Sequence, residues 1–386
     1  MGRMARAAVM VAPGQIEVRE YPIPELKPGS MLMKMELSGI CGTDKHSFRG
    51  ETQQYAGTDY AADVAFPIIP GHENSGIVAE ITREARTALE YNGHVLKEGD
   101  RVTMCPDVVC GKCWYCRNTD SYPWCEKMWN YGNTRTCAES PHLLGGFAEY
   151  MYIVPEAFVF KVPDGTTPEM AALAELMACT FNLDKAKEFS SLCGEGFRSG
   201  DTVVIQGVGP LGFVHLIKAQ LLGAGQVIVT DKSQYRLDMA KRFGADVLLN
   251  VENTTAEERI ETVKAATDGR GADIIVECVG WPEPILEGLE MLRRGGMYVE
   301  TGNFVDAGTV PINPHKHLCA KNIRLIGLSG HPPTGYQPSL LQMLKYKHIF
   351  PFDEIVTHRY PLDRAAEAMR MALSCDCMKV AIAPWD

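Results

Sequence analysis

The sequence predicts an α/β protein in which a β-rich part joins a doubly wound parallel sheet, and three observations predict it. Up to residue 38 the pattern is one of short alternating strands, broken by Pro13-Gly14 and Pro28-Gly29. From residue 201 the pattern changes: an apolar strand runs into Gly207-Val208-Gly209-Pro210-Leu211-Gly212, and a helix with an apolar face follows. Apolar runs at 246–251, 273–277, 297–301 and 323–328 then alternate with helical stretches at 256–266 and 284–294, the last stopped by Gly295-Gly296.

The opening strands are expected at 7–12, 16–19 and 31–37, with further strands at 75–81 and between 147 and 160. A helical stretch over 168–187 precedes the change of period, and the last fifty or so residues add helices at 340–346 and 362–373 and a closing strand at 379–383. At 386 residues the chain exceeds the size at which one core keeps growing, so two domains are the expectation.

A hydrophobic content of 46% and a charged content of 22% are those of an ordinary folded protein. The net charge of −10, with basic residues scattered along the chain, argues against a nucleic-acid or anionic-membrane partner. The first residues lead into a strand pattern instead of a signal peptide's apolar core, and no later apolar run reaches spanning length, so a cytoplasmic protein is expected. Thirteen cysteines in such a chain point to metal ligands and free thiols before disulfides.

Two clusters carry metal chemistry. Cys41-Gly42-Thr43-Asp44-Lys45-His46 and Gly71-His72-Glu73 put a thiol, two imidazoles, a hydroxyl and carboxylates into a short span, the ligand types of a catalytic zinc that keeps one position open. Cys110, Cys113 and Cys116 form a CxxCxxC run followed by Cys125. Four thiolates so spaced fit a closed, tetrahedral structural zinc, with an iron–sulfur cluster as the competing ligand. A polar segment over 51–60 is expected to line or cover the first cluster.

The glycine run follows a strand, opens a helix, and has Asp231 nineteen residues after its last glycine. Gly207, Gly209 and Gly212 allow a tight turn and close backbone approach, while the helix start from Pro210 and Leu211 offers N–H groups to a pyrophosphate. Asp231 is placed to accept hydrogen bonds from a ribose, which favours NAD over NADP, although Arg236 and Lys232 soften that preference. Gly280 and Gly302 end two later strands, where the nicotinamide end of such a cofactor lies.

With these motifs together, the chain resembles, over essentially its whole length, the zinc-containing medium-chain dehydrogenase/reductase family of alcohol and polyol dehydrogenases. The resemblance implies a GroES-like catalytic domain from residues 1–182 and 333–386, with its structural zinc lobe at about 105–130, and a Rossmann domain from 183–332. It implies two zinc ions per chain and NAD. Cys41, His72 and Glu73 match the catalytic zinc ligands, and Asp44 matches the acid that orients the histidine. Glu175 resembles the additional ligand of polyol-type members, with Leu176 where a proline is usual and Cys179 nearby. Whether Glu73, Glu175 or both complete the shell stays open. Thr43 and His46 take the roles of a proton relay. The substrate implied is a secondary alcohol with further hydroxyls. A small or apolar alcohol is the alternative, for which Phe48, Trp129 and Tyr131 are candidate pocket walls. A homodimer or homotetramer through the sheet edge at 323–328 is also implied.

Overall fold

The computed structural model describes residues 2–59, 61–119, 124–193 and 196–386. Tyr60 of the polar segment and residues 120–123 of the cysteine lobe lie outside them. The chain divides into two compact units, Met1–Ala178 with His331–Asp386, and Cys179–Gly330.

In the first unit the strand Met31–Gly39 organises a seven-stranded sheet. Nearly all of its residues are buried, as expected of a strand covered on both faces. It pairs antiparallel with Glu73–Ile81, Tyr150–Ile153 and Lys379–Ile382. The chain's last strand therefore lies beside one of its first. Gly39 faces Glu73 in one neighbour and Ala381 in the other, and Lys379 of that second neighbour reaches Glu73 across it. The helix Pro168–Ala178 is buried from Met170 to Ala178, and an all-round buried helix is a core element. Glu175 is the only ionisable residue in that buried stretch.

The second unit is built on a six-stranded parallel sheet. Its order is Val247–Asn250, Gln226–Asp231, Thr202–Gln206, Ala272–Glu277, Leu292–Glu300 and Arg324–Gly327. The order reverses between Thr202–Gln206 and Ala272–Glu277, the switch point at which such sheets open a crevice at their carboxyl ends. Two boundaries depart from the sequence expectation: the helical stretch expected over 168–187 is two helices, Pro168–Ala178 and Phe181–Cys193, and the helix expected at 284–294 ends early. The helix Glu283–Met291 ends before the glycine pair, and Gly295-Gly296 lie inside the strand Leu292–Glu300. Here the helix end is capped by a cation: Lys321 Nζ reaches the carbonyls of Leu289 (2.5 Å) and Leu292 (3.0 Å). Among the described residues no helix is long and apolar enough to cross a membrane.

Candidate metal and cofactor sites

Cys41 ends the central strand's run and caps the helix Gly42–Arg49. Its thiol accepts from the Asp44 backbone N–H, and Asp44 Oδ2 accepts from the Cys41 N–H at 2.8 Å, the reciprocal arrangement of a capping box. Asp44 Oδ1 also accepts from Gly71 N–H at 3.3 Å, which ties the Cys41 loop to the residue before His72. Gly71 has φ +93, and a Cβ there would lie 2.4 Å from the Phe147 ring, so only glycine makes this turn.

His72 is buried. Its Nε2 lies 3.4 Å from Thr43 Oγ1, and its Nδ1 lies 3.3 Å from the Asn133 side-chain amide and 4.0 Å from Asp44 Oδ1. Hydrogen bonding to Nδ1 therefore comes from Asn133, while Asp44 acts on the ring through charge. Burial pulls the His72 imidazole down, but Cys41, through charge and hydrogen bonding, then Asp44 and Glu175 raise it well above its ordinary range. A buried imidazole next to a thiol, within reach of carboxylates, is a donor set that fits zinc.

Glu73 is held by another partner. Its Oε1 pairs with Lys379 Nζ at 2.5 Å, both side chains nearly inaccessible, and Lys379 also donates to the Ile40 carbonyl at 3.2 Å. The carboxylate lies across Gly39, where a Cβ would stand 2.1 Å from Glu73 Oε2. Glu175 faces the same charges. Burial and the nearby Glu73 push its carboxyl up to about 8, opposed by His72 and Lys379. His331 Nδ1 lies 3.4 Å from Glu175 Oε1. His46 lies in the last turn of the helix Gly42–Arg49 with its Nδ1 on the Glu51 carboxylate.

The other cysteines gather locally. The four sulfurs of Cys110, Cys113, Cys116 and Cys125 lie within 4.8 Å of one another. Backbone N–H groups already point at them: Lys112 and Cys113 to Cys110 Sγ at 3.4 Å, Cys116 to Cys113 Sγ at 3.5 Å, and Cys110 to Cys125 Sγ at 3.2 Å. These donors lower the Cys110 thiol to about 6. Four sulfurs with N–H support are the ligand set of a structural zinc.

In the second unit, Gly207 has φ +83 and a Cβ there would meet Val279, while a Cβ on Gly212 would stand 1.9 Å from the Gly207 carbonyl. Gly209 caps the helix Pro210–Leu221, with Pro210 at its first turn. Asp231 spends both oxygens on the loop backbone, accepting from Val208 and Ser233 N–H at 2.8 Å each. It fixes the glycine turn. The Arg236 guanidinium lies 3.4 Å from where a Gly209 Cβ would be, beside the helix start. Gly280 and Gly302 meet, with the Gly302 carbonyl 2.6 Å from a Cβ on Gly280.

Residues 27–164 match the family model of the alcohol dehydrogenase GroES-like domain, and residues 210–345 match that of the zinc-binding dehydrogenase. The 5-exo-hydroxycamphor dehydrogenase of Pseudomonas putida is 32% identical over 367 residues, 95% of each chain. The sorbitol dehydrogenase of Ovis aries is 31% identical over 377 residues, 97% of this chain and 95% of the relative. The chain belongs to the zinc-containing medium-chain alcohol and polyol dehydrogenases. Among solved structures, an alcohol dehydrogenase from Thermotoga maritima superposes with a TM-score of 0.87 at 32% identity, covering 99% of this chain and all of that one. This medium-chain dehydrogenase is thus an oxidoreductase of alcohols, with the GroES-like and Rossmann folds that its residues predict.

Sequence reading missed Lys379, Asn133 and His331. Each reaches the site from a distant part of the chain, and a lone lysine, asparagine or histidine carries no motif. Of the proposed pocket walls, Tyr131 is fully buried with its hydroxyl accepting from Val154 N–H at 2.9 Å, and Trp129 packs on it. Tyr131 belongs to the core of the first unit, and Trp129 is partly buried against it.

Proposed function

We propose that this dehydrogenase carries out the reversible, zinc-dependent oxidation of a secondary alcohol, a polyol or cyclitol, to the ketone with NAD. The observation that carries the reading is the half-buried Cys41 thiol against the buried His72 ring, with the buried Glu175 carboxyl near enough to act on that ring through charge and Glu73 acting in turn on Glu175. These residues would hold the catalytic zinc, and Cys110, Cys113, Cys116 and Cys125 the structural one. Bound there, zinc supplies Lewis-acid polarisation of the substrate oxygen and makes its proton easier to lose, while NAD supplies the hydride acceptor.

The chain's own residues do the rest. Asn133 and Asp44 fix the His72 ring. Thr43, whose hydroxyl lies at His72, would take the substrate's hydroxyl proton as it passes its own by way of the cofactor ribose to His46, which is paired with Glu51 and would release it to solvent. Gly207, Gly209, Pro210, Leu211 and Gly212 receive the pyrophosphate, Asp231 receives the adenosine ribose, and Gly280 and Gly302 flank the nicotinamide. Asp231 disfavours a 2′-phosphate, so NAD is the cofactor proposed over NADP, with Arg236 the residue that would moderate that choice. The two units take the catalytic and dinucleotide roles respectively.

The polyol assignment is supported by the sorbitol dehydrogenases among the relatives, by Glu175, and by the polar segment whose Gln53–Gln54 and Ala62–Asp63 strands pair after the Cys41 helix. An apolar secondary alcohol is the second reading, favoured by the hydroxycamphor dehydrogenase relative. The chain is proposed to work in the cytoplasm as a homo-oligomer, assembled along the edge strand Arg324–Gly327, where Leu325 is exposed. The test is kcat/KM with NAD and with NADP for inositols, linear polyols and bicyclic alcohols, followed as nucleotide reduction. Preference for polyols with NAD is expected, and a clear win for bicyclic alcohols would replace the first substrate class by the second.

A further inference from the structure

Behind Glu175 lies a buried line of polar groups that neither motif includes. His331 is 3% exposed, and its two ring nitrogens have different partners. Nδ1 lies 3.4 Å from Glu175 Oε1, and Nε2 lies 2.8 Å from the Tyr336 hydroxyl. Tyr336 is itself fully buried, and its ring stacks on Phe160 at 4.5 Å between centroids with 2° between planes. The hydroxyl therefore has little freedom to leave His331. When that hydroxyl donates to Nε2, the ring's single proton sits on Nδ1 and faces the Glu175 carboxylate.

We infer that His331 is a positioning residue for Glu175, held in one tautomer and one orientation by Tyr336, so that the carboxylate is presented to the metal at a fixed angle. This rests on the reading that Glu175 serves the catalytic zinc. Glu175 lies on a helix buried all round, so its backbone is rigid and its side-chain torsions are the freedom that remains. The close contact of the His331 ring with one carboxylate oxygen restricts it. Groups behind metal ligands commonly change metal affinity or activity by about 10–100-fold when lost. His331 also lies near Cys105 (3.9 Å from its Sγ to Nε2) and Asp107, which makes direct metal ligation by His331 the reading to be told apart.

The experiment uses the full-length protein with Co2+ in the catalytic site, since the visible d–d spectrum reports ligand geometry independently of turnover. His331→Phe keeps a ring in place and removes both nitrogens with their contacts to Glu175 and Tyr336, His331→Asn restores a donor at the Nδ1 position, and Tyr336→Phe removes only the hydroxyl. Thermal unfolding of each monitors folding. Expected are a shifted Co2+ spectrum and roughly 10–100-fold weaker zinc retention against a chelator in His331→Phe. Also expected are a smaller change of the same kind in Tyr336→Phe, recovery in His331→Asn, and a fall in kcat larger than any rise in KM. Glu175→Gln separates the two levels of argument. If it leaves the spectrum and metal affinity unchanged, Glu175 does not serve the metal and the parent reading fails. If it changes them while His331→Phe does not, only the positioning role is overturned. Loss of a full metal equivalent in His331→Phe with no recovery in His331→Asn would make His331 a ligand and likewise overturn it.

Discussion

The two cysteine sites of this dehydrogenase are assembled in opposite ways. In the lobe, one short stretch supplies four like ligands, already within 4.8 Å of one another and supported by neighbouring N–H groups. At Cys41 the ligands are chemically mixed and arrive from separate elements, and each is first committed to protein partners: Cys41 to a helix cap, His72 to Asn133, Glu73 to Lys379. The lobe uses a metal in place of a core, whereas the Cys41 site uses a core to prepare for a metal. Metal removal and single substitutions should therefore have opposite signatures at the two.

The largest effect is expected from stripping the lobe of metal. Trp114 and Trp124 there are 62% and 51% exposed, so little apolar burial holds the segment together. Structural zinc sites of this type are worth on the order of 10 kcal/mol to the segment that they fold. Chelation at neutral pH should release protease cleavage within 110–125 while the two sheets keep their far-UV dichroism. A lobe equally resistant with and without metal would erase the contrast.

At the other site, metal removal should leave the fold intact, and Cys41→Ala should abolish turnover without lowering the unfolding temperature by more than a few degrees. The expected loss in kcat/KM is about a thousandfold, equivalent to roughly 4 kcal/mol of transition-state stabilisation. A Cys41→Ala protein that unfolds together with its lobe would show that the core does not prepare this site.

Lys379 probes the same contrast from inside. Removing one member of a buried ion pair leaves the other uncompensated, which costs about 3–5 kcal/mol. Lys379→Met should thus destabilise the first unit by an amount of that order, and Lys379→Met with Glu73→Gln should regain most of it, both measured by denaturant unfolding. Failure of the double variant to recover would mean that the lysine holds the Ile40 loop more than it neutralises Glu73.

What could be read in the sequence follows the same division. The four cysteines and the glycine run were legible because their geometry is local: spacing along a turn fixes spacing in space. Cys41 and His72 were legible as chemistry, but their partners were not. Lys379 lies 306 residues from Glu73 and is brought to it by sheet pairing through the central strand, and Asn133 lies 61 from His72 and is brought to it by the turn after Trp129–Asn130. Gly295-Gly296 was misread for a related reason, because the helix before it is capped by Lys321, a residue from beyond the next strand.

The last effect concerns a buried carboxylate that meets another carboxylate, the converse of Glu73. Glu277 and Glu300 end adjacent parallel strands and meet. Each also fastens the turn after its own strand, Glu277 accepting from Val279 N–H at 2.6 Å and Glu300 from Gly302 N–H at 3.2 Å. Burial, then repulsion by Glu300, pushes the Glu277 carboxyl up to about 8. Its folded pKa lies above the unfolded value of about 4.3, so the folded state holds the extra proton between the two. The associated stability is complete below the unfolded pKa and is lost as pH rises through the folded one. The second unit should therefore unfold more easily at about pH 9 than at about pH 5. In Glu300→Gln an amide can donate to the Glu277 carboxylate, which removes the repulsion and flattens the slope. Equal slopes in the two proteins, followed by denaturant unfolding across that range, would place the pH dependence elsewhere and leave Glu73 without its counterpart.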